Sequence, residues 1–384
     1  MSYRPILAVA ALAAFSAPAW ADLQPEELTR TELTPQLQPH WVWVNDQSLA
    51  RLADGRAYLI DGDSGTMLGM ISGGYGHLMV MQAPDGKSIA VPATFYSRGS
   101  RGQRTDVVTL YDAKTLTPGD EIVIPPKFFN GVPFIGLAAL TDNGRFSLLY
   151  NFTPEQSVTV VDLRDKKLVG EFPTPGCALS YPTGNHSFLQ QCGDGSMQAA
   201  SIDDAGKVTL GEVSPILFEK TDPASEKPVR ISATDWLFFT FSGEVHQISG
   251  IAGKAPARRA KWALTDASTA GWRPGGTQPF AYHAASGRLF ALMHEGGVNT
   301  HKDPGTEVWV YDVKSRKLTQ RLKLATPATS IAVSGDDHPL LYTVITDVED
   351  LVIYNAQSGE KLHSVGSLGH SLSYIQPAPV PVKR

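Results

Sequence analysis

One pattern recurs seven times along the chain and constrains its fold more than any other feature. Each copy is a strand of alternating apolar residues that ends in a turn residue and leads into a second strand, as in Val107–Thr115. Alternation with a period of two places one face of a strand in a core, and Asp or Asn bonds its own backbone to begin a turn. The turn residues are Asp61, Asp112, Asp162, Asp203, Ser249, Asp312 and Asn355.

A second hairpin precedes most of these copies. Turn sequences such as Asp85-Gly86-Lys87 and Asp142-Asn143-Gly144 lead into further apolar strands. Two hairpins in about 45–50 residues form a four-stranded unit, which is the blade of a β-propeller. We therefore predict an all-β fold, a seven-bladed β-propeller, over residues 40–376. A pair of β-sandwiches is the rival fold, but sandwiches do not require a sevenfold repeat.

The two ends of the chain differ from the repeats. Arg4 precedes an apolar run too short to span a bilayer, and Ala19-Trp20-Ala21 offers the small residues that a signal peptidase reads. We predict a signal peptide at residues 1–21, and hence a periplasmic protein. Residues 22–39 are polar, acidic and interrupted by proline, which predicts an arm outside the propeller, either a disordered leader or a strap onto a partner. Residues 377–384 are predicted to be a frayed tail.

The composition argues against several classes of partner. The formal net charge is -5 with no basic stripe, so nucleic acid is a poor candidate. No segment after the leader approaches the ~20 apolar residues of a membrane helix, so no membrane partner is expected. Cys177 and Cys192 are close enough in sequence to favour a disulfide in an oxidising compartment, the alternative being a pair of free thiols. Two cysteines cannot form a structural zinc site alone, and we expect no metal.

A local basic cluster is the first candidate surface. It consists of Arg98, Arg101 and Arg104, together with Lys87. One interpretation is a solvated loop between blades, and the other is a docking surface for an acidic partner.

Aromatic residues in loops supply the other candidates. Phe128 and Phe129 are consecutive in a Pro- and Gly-rich loop, where they either pack at a blade junction or anchor another subunit. Trp272 is a second possible interface residue. His77 follows a Gly-rich loop and is the histidine with the best claim to a functional role, although a surface or supporting position is the usual one.

Four segments together resemble the heavy subunit of the methylamine and aromatic amine dehydrogenases. The segments are Thr94–Val108, Gly271–Gly276, Arg288–Lys302 and Pro339–His370. The Cys177 and Cys192 pair is similar to the single disulfide of that large subunit. The likeness extends over essentially the whole chain after the leader.

The resemblance implies an enzyme in which this chain is the non-catalytic large subunit. Two copies would pair with two small subunits as a heterotetramer. The small subunit would carry tryptophan tryptophylquinone and the catalytic base, so this chain would bind no cofactor and hold no catalytic residue. The complex would oxidise primary amines to aldehyde and ammonia, and would pass electrons to a blue-copper protein, amicyanin or azurin.

One site residue can be transferred from the family to this sequence. The family places an aromatic side chain in the loop after Leu68–Ile71, at the mouth of the quinone pocket, and here that residue is Tyr75 where the family usually has Phe. A ring at this position would select between amine classes, the alternative being a loop tyrosine that only packs. Trp272–Gly276 favour methylamine, whereas Gly76–Leu78 look more like the aromatic-amine branch.

Two other functions stay open at this point. One is a non-enzymatic periplasmic binding propeller. The other is a self-sufficient propeller enzyme such as a lactonase-like hydrolase, which requires a calcium or acidic cluster that the sequence does not display.

Overall fold

The computed structural model describes residues 31–34, 36–46, 52–345 and 348–379. The predicted signal peptide, residues 1–21, lies outside the described residues, as do residues 22–30 of the predicted arm. The sheets described below all lie in the unit that begins at Leu33. Across the described ranges, no helix is long and apolar enough to cross a membrane.

The described residues form 29 β-strands and a short 3-10 helix at Ala267–Thr269. In chain order the strands are β1 (Trp41–Asp46), β2 (Gly55–Asp61), β3 (Thr66–Gly74), β4 (Met81–Gln82), β5 (Ser88–Arg98), β6 (Arg101–Asp112), β7 (Pro118–Ile124), β8 (Ala138–Leu140), β9 (Phe146–Asn151), β10 (Ser157–Asp162), β11 (Lys167–Pro173), β12 (Cys177–Pro182), β13 (Ser187–Cys192), β14 (Met197–Ile202), β15 (Val208–Val213), β16 (Val229–Arg230), β17 (Asp235–Phe239), β18 (Glu244–Ser249), β19 (Ala257–Ala263), β20 (Trp272–Pro274), β21 (Phe280–His283), β22 (Arg288–Glu295), β23 (Gly305–Asp312), β24 (Lys317–Ala328), β25 (Ser330–Val333), β26 (Leu340–Val344), β27 (Leu351–Asn355), β28 (Lys361–Val365) and β29 (Leu372–Pro377).

These strands pair into six sheets within the part of the chain that the structure describes. Four sheets have four strands each: β8 to β11, β12 to β15, β16 to β19 and β25 to β28. The sheet of β20 to β24 has five strands, because β20 and β21 both pair with β22. The largest sheet runs β29-β1-β2-β3-β5-β6-β7, with β4 paired to β5. The all-β prediction is therefore confirmed.

All seven predicted turn residues stand at the connection between two antiparallel strands. They end or follow β2, β6, β10, β14, β18, β23 and β27. Where the residue is Asp or Asn, its side chain accepts backbone N–H groups of the turn, as Asp112 Oδ1 does from Lys114 and Thr115 at 3.0 and 2.8 Å. Local side-chain chemistry thus fixes these hairpins.

The last strand closes the first sheet. β29 lies antiparallel to β1, with Val44 opposite Ile375 and Val42 opposite Pro377. Ala378 is buried, and its N–H donates to the carbonyl of Trp41 at 2.9 Å. Ordered pairing therefore continues two residues into the predicted tail, 377–384. Pro377 fits there because it ends the strand, where no ladder N–H is required of it.

A histidine connects the largest sheet with the β25–β28 sheet. His40 Nδ1 lies 2.6 Å from Asp63 Oδ1, and Nε2 lies 3.1 Å from Asp336 Oδ2. The hydroxyl of Tyr342 donates to the carbonyl of His40 at 2.9 Å. Burial lowers the pKa of His40, but the hydrogen bonds and charges of the two aspartates outweigh burial and raise that pKa overall. The imidazole thus connects residues from both ends of the described fold.

The apolar faces of neighbouring sheets form the core. Between the β20–β24 sheet and the β25–β28 sheet, for example, Phe290 and Val308 cluster with Leu341 and Tyr354, all buried. Each such side chain contributes about 1.5–3 kcal/mol when it is removed from water. The sheets therefore form a rigid support, and the connecting segments at their ends are left to carry function.

Connections alternate between the two ends of an antiparallel sheet. The hairpins that contain the seven turn residues lie at one end. At the other end, which we call the crossover end, residues 75–80 connect β3 to β4 within the largest sheet, and residues 125–137 connect β7 of that sheet to β8 of the next sheet. Tyr75, His77, Phe128 and Phe129 all lie in these two segments.

Candidate functional site

The segment that contains Tyr75 is held by its backbone. The Tyr75 N–H donates to the Thr94 carbonyl at 2.7 Å, and the Gly76 N–H donates to the Leu52 carbonyl. Gly76 has φ +90°, and a Cβ there would lie 2.7 Å from the Asn130 side chain, so only glycine fits. The half-buried ring of Tyr75 packs edge-to-face on Tyr96, with ring centroids 5.1 Å apart.

Asn130 ties the two crossover segments together. Its Nδ2 donates to the Tyr75 carbonyl at 2.7 Å and to Thr94 Oγ1 at 3.0 Å. Its own carbonyl accepts the N–H of His77 at 2.8 Å. Asn130 therefore positions the loop on which Tyr75 stands, a role that sequence reasoning missed because it is created by contact between distant segments.

A fully buried carboxylate lies beneath these loops. Asp106 is 0% exposed and accepts hydrogen bonds from Thr94 Oγ1 at 3.0 Å and from the Phe128 N–H at 3.0 Å. Arg104 donates to it in a bidentate pair at 2.8 and 2.7 Å, and also donates to the Phe128 carbonyl. The buried charge is thus paired and fully hydrogen-bonded, as a stable site requires. It anchors both β5 and the segment 125–137.

His77 is buried, with 4% of its surface exposed. Burial lowers its pKa to about 4, against a weaker opposing hydrogen bond with the Gly131 backbone. The imidazole is therefore neutral near neutral pH. In this chain His77 presents almost no surface to a partner, and an interface role for it stays a prediction.

The two consecutive phenylalanines have different environments. Phe128 is 2% exposed and belongs to the hydrophobic core, which is the packing interpretation of the loop. Phe129 is half-buried and contacts Phe134 and Phe152, with ring centroids 6.5 and 5.5 Å apart. Phe152, which follows β9, is 50% exposed. We call Phe129, Phe134 and Phe152 the aromatic patch. Sequence analysis did not select Phe152, which is a single aromatic residue beside a turn.

Trp272 lies at the crossover end of a different sheet. The Arg321 guanidinium stacks 4.6 Å from its ring centroid, and Trp309 lies 5.1 Å away. Arg321 and Trp309 both bond Glu307 Oε2. The described contacts of Trp272 are thus within the β20–β24 sheet, and the structure does not bring it together with the loops around Tyr75.

The predicted basic cluster is divided by the structure. Lys87 precedes β5 and Arg98 ends it, so an 11-residue strand, about 35 Å long, separates them. The Arg104 guanidinium forms an ion pair with the Asp106 carboxylate. Arg98 and Arg101 stay together at the tip of the β5–β6 hairpin, where both are exposed. The prediction of a four-residue cluster was wrong because it took neighbours in sequence for neighbours in space.

The structure forms the disulfide between Cys177 and Cys192. The two residues lie directly opposite each other in β12 and β13. The disulfide thus fastens β12, at the edge of its sheet, to its neighbour β13. In the described residues, no group of three or more His, Cys, Asp or Glu side chains could hold a metal ion.

The sheets and their loops define a class: a propeller-like all-β platform whose crossover loops carry the candidate residues. Solved structures agree on the fold. The dihydro-heme d1 dehydrogenase NirN aligns with a TM-score of 0.57 at 16% identity, covering 91% of this chain and 78% of that chain. A functionally unknown protein from Desulfotomaculum acetoxidans aligns with a TM-score of 0.60 at 11% identity, covering 87% of this chain and 98% of that chain. At these identities the likeness shows the fold alone.

Comparison with related sequences identifies the family of this chain. A model described as "Methylamine dehydrogenase heavy chain (MADH)" matches residues 39–378. The methylamine dehydrogenase heavy chain of Methylophilus methylotrophus is 34% identical, over 96% of this chain and 94% of that protein. The heavy chains of Methylorubrum extorquens and Paracoccus versutus are each 34% identical, over 81% and 83% of this chain and 76% and 75% of theirs. The chain belongs to the methylamine dehydrogenase heavy chain family, and it is the large subunit of an amine dehydrogenase.

Proposed function

We propose that this chain is the non-catalytic large subunit of a periplasmic methylamine dehydrogenase. In this proposal two large and two small subunits assemble, and the small subunit carries tryptophan tryptophylquinone. Electrons pass from that cofactor to a blue-copper protein such as amicyanin or azurin. The observation that carries the proposal is the family relationship, which spans residues 39–378 and includes relatives that are all named for methylamine. The same names favour methylamine over the aromatic-amine alternative.

Three tryptophans of this chain have structural roles, as expected if the partner holds the cofactor. Trp43 and Trp309 are fully buried, and the indole N–H of Trp43 donates to Gln82. Trp236 is buried and donates to the Pro182 carbonyl at 2.9 Å. These rings serve packing within the sheets. When the light subunit is bound, its quinone would supply the electron sink for amine oxidation.

We infer seven blades from the strand order. The eight-stranded sheet contains two four-stranded units, β29-β1-β2-β3 and β4-β5-β6-β7. A single parallel pair, Gly74 with Thr94, joins them. We count the Gly74 and Thr94 pair as a contact between two blades, and we count β20 and β21 as one interrupted strand. Every blade then has four strands. Seven repeats in the sequence support the same count.

Tyr75 would contribute shape to the amine site. Its backbone is fixed by Thr94 and Asn130, and its ring is steadied by Tyr96. A ring held in this way at the mouth of a pocket limits which amines reach the cofactor and excludes water from it. Because the family usually has Phe there, the tyrosine hydroxyl would add one polar group at the mouth.

Expression of the chain together with its light subunit tests this proposal. The complex should purify from the periplasm as two chain sizes and show a visible quinone absorption band. It should reduce an electron-accepting dye when methylamine is added. The mature large chain should begin at Asp22 on N-terminal sequencing. A colourless chain that purifies alone from cells expressing both subunits would refute the proposal.

A further inference from the structure

The β5–β6 hairpin extends beyond the sheet that supports it. β7 pairs with β6 as far as Asp106 and Ile124, and on the other side the pairing with β3 is at Thr94. Residues 95–105, which we call the tip hairpin, therefore have strand pairing only with each other. The tip hairpin begins where the loop of Tyr75 lies, since Tyr75 packs on Tyr96.

Hydrogen bonds hold the tip hairpin at its base and near its end. At its base the bidentate pair of Arg104 with buried Asp106 fixes both strands to the segment 125–137. Near its end, Ser97 Oγ accepts the N–H of Gln103 at 3.1 Å. A surface that is already ordered loses little conformational entropy on binding, so it is well suited to docking.

The charge at the end of the tip hairpin is uncompensated in the described chain. Arg98 and Arg101 are direct partners across the last pair of the ladder. Like charges placed opposite each other in this way destabilise a hairpin. Within the residues that the structure describes, no carboxylate lies within ion-pair distance of either guanidinium. The chain as a whole has a formal charge of -5, so this positive tip is a local exception.

An apolar ring accompanies these charges. Phe95 is 41% exposed, next to the half-buried Tyr96. An exposed aromatic side chain and two exposed arginines in one hairpin match the composition of protein interfaces, where aromatic residues and Arg are enriched.

We propose that the tip hairpin docks on an acidic patch of the light subunit, with Arg98 and Arg101 binding carboxylates and Phe95 packing beside them. This inference rests on the proposed function, because a subunit seated over Tyr75 would meet the hairpin that contacts Tyr75. Carboxylates from the partner would relieve the repulsion between the two guanidinium groups. Bidentate arginine–carboxylate pairs would also fix the orientation of the light subunit.

The test uses the complex as expressed. Arg98→Glu with Arg101→Glu reverses both charges, and a matched control, Lys254→Glu with Lys314→Glu, makes the same charge change in exposed turns at the opposite end of the sheets. Retention of the light subunit is measured by size exclusion over a series of NaCl concentrations. The arginine variant should show an apparent dissociation constant about ten-fold or more higher, whereas the lysine variant should match the unmodified chain.

A second variant separates binding from folding. Arg98→Ala with Arg101→Ala removes the repulsive pair, so the isolated large chain should melt at the same or a higher temperature while retention of the light subunit still weakens and becomes less sensitive to salt. Arg98→Lys with Arg101→Lys keeps the charge but not the bidentate geometry, so it should restore only part of the retention. Unchanged retention in the glutamate variant, or equal loss in the lysine control, would overturn this inference alone. Failure of the unmodified chain to bind a light subunit at low salt would overturn the proposed function as well.

Discussion

Replacement of Asp106 by asparagine tests the anchor beneath the candidate site most directly. The side chain keeps its shape, but one carboxylate oxygen becomes an NH2 group that faces the donors of Arg104. Asp106 is fully buried and accepts four hydrogen bonds, two of them from that arginine. Removal of one partner of a buried ion pair costs about 3–5 kcal/mol. Because the Arg104 side chain is 28% exposed and water can reach it, we expect a loss at the lower end, about 3 kcal/mol.

The assay is equilibrium unfolding in urea, followed by tryptophan fluorescence. The matched control is Asp120→Asn, because Asp120 pairs with Lys166 on the surface and both side chains are more than half exposed. Exposed pairs of this kind contribute about 0–1 kcal/mol. If Asp106→Asn loses less than about 1 kcal/mol, or no more than the control, the argument that a buried ion pair anchors these loops is refuted.

Three further outcomes are expected from contacts described above. Because its pKa is raised above the ordinary 6.5, His40 contributes stability that is fully present below that pH and is lost as the pH rises through the folded-state value. The urea midpoint of His40→Gln should therefore lie further below the midpoint of the unmodified chain at about pH 5.5 than at about pH 8.5. An equal difference between the two midpoints at both pH values would contradict this. Cys177→Ser with Cys192→Ser should lower the free energy of unfolding by about 3 kcal/mol, and reduction of the unmodified chain should reproduce that loss. Tyr75→Ala should change the ratio of kcat/KM for methylamine to that for benzylamine by roughly ten-fold, while Tyr75→Phe leaves it nearly unchanged; a tyrosine that only packs would alter stability and not the ratio.

Local chemistry explains which parts of the fold the sequence could predict. Asp112 and its equivalents accept hydrogen bonds from neighbouring N–H groups of their turns. Each hairpin turn therefore depends on a few consecutive residues and can be predicted from them. The pair Cys177 and Cys192 could be predicted for the same reason. Alternation of apolar residues then sufficed to predict an all-β architecture.

The parts of the site that could not be predicted depend on distant segments. Asn130 reaches the loop of Tyr75 only after two crossover segments have come together. Lys87 looked like a neighbour of Arg98 until the length of β5 separated them. Phe152 joins Phe129 through the packing of a hairpin loop against a crossover segment. None of these relations has a signature in a single stretch of sequence.

The pairing of β29 with β1 makes the first sheet depend on both ends of the described fold. A growing polypeptide that lacks residues 372–377 leaves the edge of β1 unpaired, and an unpaired edge invites addition of a strand from another molecule. Purification tags and truncations therefore belong beyond Ala378. Circular permutation offers the converse design. Residues 378 and 41 are already adjacent in the sheet, so a short linker from residue 378 to His40 would let new termini open in an exposed turn such as 251–254 without loss of any ladder hydrogen bond.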